Sequence, residues 1–184
     1  ITRPVQTWNP IKINFQHLWL LIQDAWRTNS LKDKLRIWFM PTGWRPKDVE
    51  GNYPVFKIID AYNFEKYKTN SSRSFIIWLW VQLIMLLLFV SYFFANIAAI
   101  KTLDVSYIYF YGAFVFIYVY AITELMDGNK YAVFWEGLKC ALGIGFIIYG
   151  GDWFGSDVFL GLIKYIVIAY LLGSFIITFL LAKQ

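Results

Sequence analysis

The side chains most able to do chemistry lie where charge is least expected. Glu136 and Lys139 fall inside an apolar stretch three residues apart, so on a helix they share a face and can pair. Glu124 and Asp127 flank the same end of that stretch. An ionisable group at membrane depth is costly unless it is paired, and such groups often mark substrate or ion paths. The four residues therefore form a candidate entrance for a lipid head group or substrate. The plainer reading is a helix-end ion pair that sets how deep its helix sits. Lys164, near the end of a later apolar run, has a stem long enough to carry its amine to the water boundary near Asp157.

Other constellations are missing from the chain. A single histidine, His17, cannot build a metal centre, and the carboxylates lack the spacing of a di-metal bundle. No glycine-rich phosphate loop and no serine-histidine-aspartate set stands out. The lone Cys140 excludes an internal disulfide and a zinc cluster, and it reads as a packing residue. No catalytic residue and no metal ligand is assigned.

The elements that carry these residues are set by composition. The chain has 184 residues, 59% of them hydrophobic and only 16% charged, against about a quarter charged in an ordinary soluble domain. Phe75 to Ile100 lies in an uncharged run that starts at Ser74, and its only strongly polar side chains are Gln82, Ser91 and Asn96. About 20 apolar residues cross a bilayer as a helix, because hydrocarbon leaves backbone polar groups nothing else to bond. Four spans are predicted, over about 75–97, 105–123, 131–149 and 158–182. The second carries tyrosines at both ends, as the two water boundaries favour. The third is rich in glycine and alanine, which let helices approach closely. The expected fold class is all-α and integral to a membrane, with residues 75–184 as the bundle and residues 1–74 as an amphipathic helical flank.

Residues 1–74 carry 12 Lys/Arg and 6 Asp/Glu, while residues 75–184 carry 5 and 6. That asymmetry places the flank and the C-terminus with Lys183 on the cytoplasmic side. It also makes membrane lipids, rather than nucleic acid, the expected partner. The membrane is a bacterial inner membrane or the endoplasmic reticulum. Within the flank, Asn9 and Pro10 start a helix running to about Asn29. Phe15, Leu18, Trp19, Ile22, Ala25 and Trp26 recur on one side of it. Such a helix suits a membrane interface or a lid over the embedded domain, and equally an ordinary surface packed on another domain. His17, Trp19, Trp26 and Trp44 are the candidate interfacial residues. Ser30 to Asp33 resembles a capping box opening a second helix through about Phe39. Pro41 to Pro46 reads as irregular loop, and Val49 to Ser72, including the Ser71-Ser72 pair, as an extended connection.

Ile1-Thr2-Arg3-Pro4-Val5 with Thr7-Trp8-Asn9-Pro10, then Asp24-Ala25-Trp26-Arg27-Thr28, Lys32-Asp33-Lys34-Leu35 and Gly43-Trp44-Arg45-Pro46 follow one another in the chain. Leu125-Met126-Asp127-Gly128 comes later, with Glu136 and Lys139 after it. In that order they resemble the part of the fatty acid hydroxylase and sterol desaturase superfamily that follows the last histidine box, particularly in its alkylglycerol monooxygenase branch. The likeness extends to about Tyr149. It implies a membrane enzyme in which clustered histidines hold two irons that activate O2 against a lipid C–H bond, with a pterin as reductant in the alkylglycerol branch. None of those histidine boxes lies in this chain, which starts at Ile1 and looks like a piece of a longer protein. The resemblance thus implies a supporting role, with residues 1–74 covering the mouth where the irons sit. A non-enzymatic membrane scaffold or transporter subunit is the alternative. A soluble interaction domain would require the Ser74 to Ile100 run to be a buried core helix.

Overall fold

Two polar caps begin the first helix and the second. Asn9 Oδ1 accepts from the backbone N–H groups of Ile11 and Lys12, and Ser30 Oγ accepts from that of Asp33. Each satisfies donors that a helix start leaves open. They open α1 (Pro10–Arg27) and α2 (Leu31–Arg36), and α3 (Lys47–Asn52) follows. The computed structural model describes residues 4–182 apart from 56, 57, 59, 61, 64, 70 and 71. The expectations resting on Ile1, Thr2, Arg3, Ser71 and Lys183 therefore lie outside the described residues. Among those described, seven α-helices and no strand occur.

The chain divides into two compact units, Ile1–Lys68 and Thr69–Gln184. In the first, Trp44 N–H closes a turn onto the Pro41 carbonyl, with Gly43 at φ +94°, a conformation that side-chain-bearing residues resist. The expectation of an extended connection from Val49 needs correction, since α3 occupies its start. Pro46 ends the preceding loop, and Asp48 and Glu50 fall in the first helical turn, where the helix dipole favours acids. Six residues are too few for a readable period.

The second unit is α4 (Arg73–Leu103), α5 (Ser106–Met126), α6 (Ala132–Gly150) and α7 (Ile163–Leu181), each long and apolar enough to cross a membrane. Arg73 and Ser74 belong to the first turn of α4, which Ser72 caps by accepting from Phe75 N–H. At 31 residues α4 is about 46 Å long, so it tilts or extends beyond a hydrocarbon core of about 30 Å. Short connections make neighbours antiparallel. Trp78, Leu125 and Ala132 pack with Phe75 and Leu181, so the start of α4, the α5–α6 loop and the end of α7 share one end of the bundle.

The last span starts at Ile163 and not near Val158. Both Asp152 carboxylate oxygens accept backbone N–H groups, from Gly155 and Asp157, and the Ser156 carbonyl accepts from Phe159 and Leu160. Those bonds hold a 3-10 turn over Ser156–Val158, so helix formation waits. The same loop folds Trp153 and Phe154 into the bundle against Phe89, Tyr111 and Phe114. Lys164 Nζ does reach Asp157, at 2.7 Å.

Small residues matter at one place in particular. A Cβ on Gly143 would lie 2.6 Å from Leu171 Cδ1 and 3.2 Å from Phe114 Cε2, and both neighbours are buried. Gly143→Ala is expected to destabilise the bundle by about 1–3 kcal/mol through overpacking. Gly145→Ala, which meets nothing within 4 Å, should stay within about 0.5 kcal/mol of the parent. Thermal unfolding in detergent separates the two, and equal midpoints would refute the close α5–α6–α7 approach.

Candidate functional site

The antiparallel seam between α4 and α7 places residues one helical turn apart in register. Trp78 Nε1 donates to Thr178 Oγ1 at 3.0 Å, and one turn deeper Gln82 Nε2 donates to Ser174 Oγ at 3.0 Å. From α6, Glu136 and Lys139 enter at that second level, about 6 and 10 Å along the helix from its start. The two form an ion pair at 2.5 Å, with side chains 1% and 0% exposed.

Around this pair the hydrogen bonds close. Lys139 Nζ has three donors, and it meets Glu136 Oε1, Gln82 Oε1 at 3.1 Å and Ser174 Oγ at 3.0 Å. Ser174 Oγ accepts from Gln82 and Lys139 and donates to Glu136. The Gln82 side-chain amide also faces Glu136 Oε1 at 3.5 Å, and its oxygen accepts from Tyr170 OH at 3.0 Å. Tyr118 OH donates to the Gln82 backbone carbonyl and touches Tyr170 OH. The Tyr118 ring lies 4.2 Å from the ammonium, a cation–π distance. All four membrane helices contribute. With Lys139, Ser174 and Gln82 saturated, the cluster neutralises buried charge and fixes the rotation and depth of each helix, as polar contacts do in lipid. Cys140 beside it donates to the Leu171 carbonyl at 3.0 Å.

Glu124 is buried in the last turn of α5, where its backbone carbonyl accepts from Asn129 N–H, and Asp127 is half-buried at the cap. Gly128, at φ +63°, turns the chain there. Glu136 and Lys139 are thus joined directly. Gln82, Ser174, Tyr118 and Tyr170 complete the cluster and were not singled out from sequence as site residues. Gln82 alone carried a signal, as a strongly polar side chain amid an apolar run.

In the first unit, Arg45 forks onto Asp24. Nε donates to Oδ2 at 2.5 Å and Nη2 to Oδ1 at 2.8 Å, while Nη1 reaches the Tyr53 carbonyl at 2.8 Å. Asp24 is fully buried, and donating to it raises the Arg45 guanidinium above its ordinary value. Beside it Thr28 Oγ1 and Asn29 N–H donate to Asp48, and the Asn29 bond foremost holds that carboxyl below its usual range. Asp24 and Thr28 come from one segment of the resemblance and Arg45 from another, so two distant motifs are halves of one clamp. His17 and Trp26 are exposed on opposite sides of α1, Trp19 is exposed beside Trp26, and half-buried Trp44 lies under Arg36. Among the described residues no group of three His, Cys, Asp or Glu could hold a metal ion.

Over 143 residues, 77% of the chain, the sequence is 26% identical to human alkylglycerol monooxygenase, and the matched part is 31% of that protein. The chain therefore spans about a third of the length of this relative. No protein-family model matches the chain, and no solved structure matches it.

Proposed function

We propose that this chain is the C-terminal membrane portion of an O2-dependent monooxygenase acting on alkyl lipids, with a histidine-held di-iron centre upstream of it. The likeness to alkylglycerol monooxygenase across most of the chain carries this reading. The joining of its Asp24 and Gly43-Trp44-Arg45-Pro46 segments into one ion pair supports it. The described residues do not fit an iron centre themselves: the one histidine is exposed on α1, and no cluster of ligands accompanies it. In this reading the bundle shapes the lipid-facing wall, and the Lys139 cluster keeps that wall rigid.

The saturated cluster favours a second reading, a non-enzymatic membrane scaffold, because a closed network needs no substrate to explain it. One experiment decides between them. The protein with its upstream region, purified in lipid, is expected to carry about two irons per chain and to consume O2 with an alkylglycerol lipid, assayed with a tetrahydropterin or another reductant. Absence of iron and of lipid-dependent O2 uptake supports the scaffold. Tight iron binding by residues 1–184 alone would overturn the upstream placement.

A further inference from the structure

The apolar stripe of α1 is turned away from the unit it belongs to. Phe15, Leu18, Trp19, Ile22 and Trp26 all lie exposed, Trp19 at 60% and Trp26 at 87%. Asp24 stands about two and a half turns from Phe15, hence on the opposite side of the helix, and is the only fully buried residue of α1. Its ion pair with Arg45 fixes the helix's rotation, so the stripe cannot roll inward. A stripe this apolar and this wide on a soluble surface calls for a covering partner.

We propose that α1 lies on an anionic bilayer surface, its stripe sunk to the boundary between head groups and acyl chains. Three observations select a bilayer over a protein. The unit is joined to a membrane span at Arg73 by a chain that can extend only about 17 Å beyond Lys68. Lys12 borders the stripe one heptad before Trp19, and residues 1–74 carry twice as many basic as acidic side chains, matching anionic phosphates. A shallow cleft of about 360 Å3 beside the stripe is lined by Lys12, Phe15, Gln16 and Trp19, pairing apolar walls with a cation as a lipid glycerophosphate requires. Tryptophan and a basic residue together along the edge of an apolar stripe is the pattern of an interfacial helix.

The test uses the full chain in vesicles of phosphatidylcholine and phosphatidylglycerol, in a Cys140→Ser background that frees cysteine for labelling. Trp26→Cys and His17→Cys each receive an environment-sensitive fluorophore, the two sites lying on opposite sides of α1. The expected result is several-fold stronger quenching by brominated lipid at position 26 than at 17, with aqueous iodide showing the reverse. Omitting phosphatidylglycerol should reduce the lipid quenching at 26. Iodide access at position 26 would overturn the proposal by placing the stripe in water. Protection from both quenchers would overturn it by placing another protein surface, or a second copy, on the stripe. Asp24→Asn should shrink the difference between positions 26 and 17. None of these readouts depends on the proposed enzyme activity, so the two readings fail separately.

Discussion

Lys139→Met is expected to destabilise the membrane bundle by about 3–5 kcal/mol, the range for removing one partner of a buried ion pair. The loss comes less from the missing attraction than from what remains. Glu136 would keep its place at 1% exposure with its cation gone, and Gln82 Oε1 and Ser174 Oγ would each lose a donor. The double variant Glu136→Gln, Lys139→Met should recover most of the loss, since it removes both charges together and leaves hydrogen-bond partners for Gln82 and Ser174. Lys164→Met supplies a contrast. That lysine pairs with Asp157 at the exposed end of α7, where breaking a pair costs about 1 kcal/mol or less. Thermal unfolding in detergent orders the three, and a Lys139→Met variant as stable as the parent would contradict the closed network.

Arg45→Ala should free α1 from the rest of the first unit. Asp24 is fully buried and both its oxygens are held by the Arg45 fork, so the truncation leaves an unpaired carboxylate and a cost of about 3–5 kcal/mol for that unit. Arg45→Lys is expected to recover less than half of this. An ammonium on a flexible stem cannot present the planar fork that meets both Asp24 oxygens and the Tyr53 carbonyl together. Hydrogen exchange along α1 and limited proteolysis between residues 28 and 45 measure the effect. The bundle, a separate unit, should melt unchanged. If the Arg45→Ala chain protects α1 as well as the parent does, the clamp is not what fixes the helix.

The helices that cross lipid were legible because their signal is local and cumulative, each being a long run without charge. The caps at Asn9 and Ser30 were legible for the same reason, since a cap is decided within four residues. The α3 helix was not, being too short to show a period. Nor was the loop that folds Trp153 and Phe154 into the bundle, since nothing within a few residues of them marks either ring as buried. The Glu136–Lys139 pair could be read from i,i+3 spacing on one helix. Its partners could not: Gln82 stands 54 residues from Glu136 and 92 from Ser174.

By itself the sequence determined that this chain enters a membrane as helices, since hydrocarbon offers the backbone no other partner, and that its basic residues gather before the first span. Only the tertiary structure decided which polar groups meet and which face of α1 stays bare. A helix apolar on every side carries no periodic mark of its rotation, and α1 could have buried its greasy stripe had Arg45 not held Asp24 on the other side.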